Sequence, residues 1–100
     1  MKKILFLNPP LYFQQGIPKS LDVSVPPLGL LYLATYINHY AKNDFQAEII
    51  DIGKENLNLK EIISLIKKSK PFVVGISSMT PQLQGAVELA QNIKKLFPNQ

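Results

Sequence analysis

A three-layer α/β fold around a parallel sheet of order 2-1-3 is predicted by three observations. Short aliphatic runs alternate three times with stretches of helical spacing along the 100 residues. The run Phe72-Val73-Val74-Gly75-Ile76 is apolar on both faces, as expected of a central parallel strand with helices on either side. Two successive strand–helix–strand crossovers, right-handed by rule, place the second and third strands on opposite sides of the first.

The first strand is expected over residues 3–7, where Ile4-Leu5-Phe6-Leu7 follows a pair of lysines. Asn8-Pro9-Pro10 stops it, because proline removes ladder donors and fixes φ near −65°. The loop that follows runs for about fifteen residues, against the ~2–6 usual after a strand in such units. The first helix is expected over residues 27–41, opened by Pro26-Pro27, with Leu30, Leu31, Ala34, Ile37 and Tyr40 at helical spacing. Residues 46–51 make the second strand, with Ala47, Ile49 and Ile50 apolar.

The second helix starts at Asn58, with Glu61 three residues on, the spacing of a capping box. Leu59, Ile62, Ile63 and Ile66 supply its inward face. After the third strand, Thr80-Pro81 reads as an N-cap followed by proline at the first helical position. Leu83, Val87, Ala90, Ile93 and Leu96 or Phe97 line the third helix, and Pro98 ends it. The sequence stops where a fourth strand is expected. The expectation is therefore a flavodoxin-like or Rossmann-like sheet truncated after the third helix, one partial domain spanning residues 1–100.

Composition narrows the function. With 46% apolar and 18% charged residues, the chain is of the ordinary globular class. It has no cysteine, which excludes disulfides, thiolate metal sites and iron–sulfur clusters within it. The opening Lys-Lys-Ile-Leu-Phe-Leu has too short an apolar stretch for a signal peptide, and no run approaches the ~18–20 apolar residues of a membrane span. A cytoplasmic setting without membrane contact is expected. The net charge of +4 does not point to nucleic acid: all eleven basic residues are lysine, with no arginine fork for phosphate or guanine. Lys67, Lys68, Lys70, Lys94 and Lys95 fall at helix ends, where they complement the helix dipole.

Three loops, residues 8–26, 51–57 and 77–80, fall at the carboxyl ends of the strands, where parallel α/β sheets bind ligands. The first holds Asn8, Tyr12, Gln14, Gln15, Gly16 and Ser20, and reads as a lid with amide, hydroxyl and aromatic contacts, or as a loop merely anchored by prolines. The third, Ser77-Ser78-Met79-Thr80, feeds a helix N-terminus, a place suited to phosphate or another polar group. Thr80 is expected to cap that helix in either case.

Asp51 ends the second strand, where dinucleotide-binding folds place an acid on the ribose, but the glycine-rich turn such sites need is replaced by Asn-Pro-Pro, so NAD is not expected. No phosphorylatable aspartate ends the third strand. His39, the only histidine, is read as a solvated residue near the end of the first helix. Without a nucleophile–base pair or a metal-ligand cluster, no catalytic or metal-binding residue is assigned.

The order of the motifs resembles the N-terminal cobalamin-binding domain of cobalamin-dependent radical SAM enzymes. The matching segments are Leu5-Phe6-Leu7-Asn8-Pro9-Pro10, Val25-Pro26-Pro27-Leu28-Gly29-Leu30-Leu31-Tyr32-Leu33-Ala34, and Ile49-Ile50-Asp51. Val73-Val74-Gly75-Ile76-Ser77-Ser78-Met79-Thr80 and Ala90-Gln91-Asn92-Ile93-Lys94 continue the series. The Pro-Pro-Leu-Gly-Leu segment is the most specific.

The resemblance implies cobalamin held over the carboxyl edge of the sheet beside a radical SAM barrel. It places Ser77 and Thr80 on the nucleotide tail, and the loop of Asn8, Pro9 and Pro10 near the lower face of the corrin; Tyr12 and Ser78, from the same two loops, are read as further contacts. Methionine-synthase-like domains carry Asp-x-His-x-x-Gly after the first strand; here that histidine is absent, which implies base-off binding with no protein histidine on cobalt. The further strands of the pocket, and the barrel with its CxxxCxxC motif, S-adenosylmethionine and [4Fe-4S] cluster, would belong to a longer parent protein. The alternative reading is a small flavodoxin-like interaction module without cofactor. In either case the unpaired outer edge of the third strand predicts a homodimer.

Overall fold

The computed structural model describes residues 2–9, 28–55, 57–78 and 83–100. The elements run β1 (Lys2–Asn8), α1 (Leu28–Tyr40), β2 (Phe45–Asp51), α2 (Ile52–Glu55), α3 (Leu59–Ser69), β3 (Val73–Ile76) and α4 (Leu83–Leu96). The sheet is parallel throughout, in the order β2-β1-β3. The predicted topology holds, and the strand and helix bounds shift by only a residue or two at most ends.

Register explains the two faces. Leu5 and Leu7 of β1 stand beside Val74 and Ile76 of β3, and Leu7 stands beside Ile50 of β2. These residues meet Ile52, Ile62, Ile66, Leu89 and Ile93, so α3 and α4 close the main core on this face. Leu5, Leu7, Ile52 and Ile62 are fully buried. Each such side chain contributes roughly 1.5–3 kcal/mol by leaving water. The opposite face carries Ile4, Phe6, Ala47 and Ile49, and α1 packs along β2 there with Leu30 and Ala34 buried.

Local chemistry sets the helix ends as the sequence predicts. The Asn58 side chain accepts from the Glu61 N–H at 2.8 Å, and the Glu61 carboxylate accepts from the Asn58 N–H at 3.1 Å. At the other end of α3, Lys70 takes a left-handed conformation, φ 49°, and its N–H donates to Ile66 O.

Among the described strands β3 has the outer place that the order 2-1-3 predicts, with Val73 44% exposed. Two expectations are corrected. The inward stripe of the first helix is narrower than its spacing implied. Leu30 and Ala34 are buried, whereas Leu31 and Tyr40 are exposed, because α1 is apolar nearly all round and meets the sheet along one line only. The loop over 51–57 contains the short helix α2, with Ile52 buried beneath it and its turn closed by the Leu57 N–H on Ile52 O at 3.2 Å.

Gly75 occupies a tight place in the sheet. A Cβ at Gly75 would stand 2.8 Å from Phe6 Cδ1, because the Phe6 ring of β1 lies against the neighbouring β3 position.

Candidate functional site

The carboxyl edge of the sheet is built from the last residue of each strand or the one after it. Asn8 closes β1 and stands in register with Asp51, which closes β2. Ser77 follows β3 directly, and its backbone N–H donates to Leu7 O at 3.1 Å, which holds it beside the end of β1.

The side chains are joined across the strands. Asn8 Nδ2 donates to Asp51 Oδ1 at 3.2 Å, and Ser77 Oγ donates to Asn8 Oδ1 at 3.1 Å. Both bonds are partly buried and link positions 43 and 69 residues apart in sequence. Partial burial strengthens such bonds relative to water and makes their loss costly. Pro9 is fully buried, so its ring fixes the direction in which the chain leaves β1. Ser78 is exposed on the same edge.

Of the predicted site residues, the structure thus brings Asn8 and Ser77 together, with Pro9 and Ser78 adjoining. Pro10, Tyr12 and Thr80 lie outside the described residues, as do Gln14, Gln15, Gly16 and Ser20. Asp51 joins the network as a partner of Asn8, a role that the ribose-acid position at the end of the second strand does not suggest. Its position at the end of the second strand was the available signal, and its partner was not.

The other parts of the molecule offer less. His39 lies near the end of α1 that leads into β2, away from the carboxyl edge. An open groove of about 520 Å³ runs between the ends of α3 and α4 at the amino edge. Ile66, Pro71, Phe72 and Phe97 line it, with Lys67 and Lys70 also on its wall. No group of acids and histidines suited to a metal ion occurs among the described residues. None of the described helices is long and apolar enough to cross a membrane.

Chemically, the carboxyl edge can orient a ligand by hydrogen bonds, but its described side chains do not pair a nucleophile with a base. A neutral amide and a hydroxyl, tied to one carboxylate, suit a ligand whose periphery carries amides and hydroxyls, as a corrinoid's does. The donor set therefore fits cobalamin. A polyphosphate would call for cations or unengaged N–H groups.

The family described as the B12 binding domain matches residues 17–99. An uncharacterized methyltransferase of Pyrococcus horikoshii is 33% identical over 97 residues, covering 97% of this chain and 20% of that protein. The chain spans about a fifth of the length of this curated relative. No solved structure matches it significantly.

Proposed function

The chain belongs to the B12-binding domain family, and on that premise we propose that it holds cobalamin against the carboxyl edge of its sheet, as a cofactor-carrying part of a larger radical SAM enzyme. The observation that carries this reading is the joined set Asp51, Asn8 and Ser77 across all three strand ends, where parallel α/β sheets receive ligands. Residues 1–100 form one part of that domain and are not catalytic by themselves.

Asn8 and Ser77 orient the ligand from the described edge, and Pro9 fixes where the chain leaves it. Pro10 and Tyr12, from the loop after β1, and Ser78 and Thr80, from the segment before α4, complete the contacts. Cobalamin, when bound, supplies a cobalt centre able to carry a one-carbon group. The relative's name as a methyltransferase favours methyl transfer as the reaction of the whole protein. Binding is base-off, with no protein histidine on the metal; the only histidine of the sequence, His39, sits on α1 toward the amino edge. S-adenosylmethionine and a [4Fe-4S] cluster belong to the radical SAM partner domain, since this sequence has no cysteine to hold a cluster. A cytoplasmic setting goes with this chemistry.

Reconstitution tests the reading. The chain is incubated with hydroxocobalamin, desalted and scanned: corrinoid bands that elute with the protein are expected, and a colourless protein fraction overturns cobalamin binding. A CxxxCxxC motif in the coding sequence after Gln100 is expected for the radical SAM assignment, and its absence removes that assignment alone.

A homodimer is part of the same proposal. The outer edge of β3 offers backbone groups beside Phe72 and Val73, which are 56% and 44% exposed. Light scattering after size exclusion should give twice the 11.2 kDa chain mass; the single mass at micromolar concentration removes the dimer.

A further inference from the structure

We propose that Asp51 sets the hydrogen-bond polarity of the carboxyl edge. By fixing the Asn8 amide it leaves Ser77 as an acceptor, so the edge receives a neutral donor of its ligand, a carboxamide N–H or a hydroxyl, and not a phosphate oxygen. The inference rests on the cobalamin reading for the ligand, but the polarity follows from three side chains alone.

A carboxylate only accepts hydrogen bonds. The group of Asn8 that faces Asp51 at 3.2 Å must therefore be the Nδ2 amine, and the amide oxygen must face Ser77. That oxygen also only accepts, so the single hydroxyl proton of Ser77 goes to it at 3.1 Å. The other donor of Ser77, its backbone N–H, is committed to Leu7 O. Both donors of Ser77 are thus spent inside the protein, and toward a ligand Ser77 Oγ presents lone pairs.

A phosphate oxygen, itself an acceptor, would meet those lone pairs, with the Asp51 carboxylate one side chain behind them. The segment after β3 leads to a helix, which in sequence suggests a phosphate site. At Ser77 the relay from β2 reverses that preference. Corrinoids carry both acceptable donors: primary carboxamides around the ring, and a hydroxyl on the nucleotide ribose.

Asp51 and Asn8 are positioning residues here, and the test reads positions as well as affinity. In amide and side-chain amide NMR spectra of the wild-type chain, inorganic phosphate up to about 10 mM should leave Ser77 and Asn8 unmoved. A saturable shift at either residue overturns the proposal. In Asp51→Asn, the partner of Asn8 can itself turn, so the Asn8 side-chain amide should exchange faster than in the wild type; an equal rate in the two proteins overturns the relay.

Cobalamin titration gives the third readout. Ser77→Ala and Asp51→Asn should each weaken binding about tenfold, and the double variant no further. Effects that multiply to about a hundredfold would show that the two residues act separately and would overturn the proposal. Cobinamide, which keeps the carboxamides and lacks the nucleotide, separates the two donors. Equal loss by Ser77→Ala on both corrinoids assigns the carboxamide, and loss on cobalamin alone assigns the ribose. If the wild type binds no corrinoid, the cobalamin reading fails, while the phosphate and exchange measurements still decide the polarity.

Discussion

The two outer strands of this sheet face the same hazard and meet it differently. β2 is closed off: Asn38, on α1, donates from Nδ2 to Ala47 O at 3.0 Å and accepts from the Ala47 N–H at 2.8 Å. One side-chain amide thus takes the place that a neighbouring strand's peptide group would occupy. β3 has no such cover among the described residues. Gln100 Nε2 reaches Phe72 O at 3.3 Å, just before the strand begins, and among the described residues no further side chain bonds to its outer edge. An edge is therefore protected only where a side chain reaches its backbone groups. α1 lies along β2 and its Asn38 reaches that strand, whereas the residues after α4 reach Phe72, just ahead of β3.

Four substitutions sharpen or break this contrast. The largest effect should come from the strand that both edges share. Leu5→Ala empties a fully buried site in the main core and should cost about 2–5 kcal/mol, read from urea unfolding. Since small domains have only about 5–15 kcal/mol in total, both edges should loosen together. A cost below 1 kcal/mol would mean that β1 is not the common support.

Gly75→Ala acts on the β3 side alone. The added methyl would stand 2.8 Å from the Phe6 ring, so the ring or the strand must shift, at about 1–3 kcal/mol. Thermal melting that shows no loss would place the Phe6 ring elsewhere.

Asn38→Ala should make the β2 edge resemble that of β3. Two hydrogen bonds are lost at a cost of about 1–2 kcal/mol, and Ala47 is left with bare backbone groups. Association measured by analytical ultracentrifugation should rise above that of the wild type. No rise would show that the amide clasp serves helix position and not edge protection.

Val73→Lys should have the smallest effect on stability, within about 0.5 kcal/mol, because the residue is an exposed edge position. Its expected effect is on assembly: a lysine on the open edge should reduce any self-association through β3. A dimer of unchanged affinity would move the interface elsewhere, with the exposed Tyr32 and Tyr36 of α1 the next surface to probe.

Much of the fold was legible in the sequence because its signals are local. The capping box at Asn58 and Glu61 needs only a spacing of three residues, and the structure forms both of its bonds. The first strand ends at Asn-Pro-Pro because of the chemistry of proline itself. The predicted order 2-1-3 follows from right-handed crossovers together with helices on both faces of the sheet, which the doubly apolar third strand signals. The apolar pattern of α1 misled for the opposite reason. Leu31 and Tyr40 flank the line of Leu30, Ala34 and Ile37 on opposite sides of a helix of about 3.6 residues per turn, so a partner that covers that line leaves both exposed.

The candidate site divides in the same way. Asn8 and Ser77 could be named from the sequence because they end strands, and strand ends in parallel sheets gather at one edge. Asp51 was visible at such an end too, but its role was not, since that depends on a register that puts it beside Asn8.

The sequence by itself determined the elements, their order and the edge where a ligand belongs, because periodicity, caps and proline act over a few neighbouring residues. Tertiary structure decided which strand edge is shielded and which way the Asn8 amide turns. The first outcome rests on α1 docking so that Asn38 meets Ala47, and the second on bonds between residues 43 and 69 positions apart that exist only once β1, β2 and β3 have paired in register.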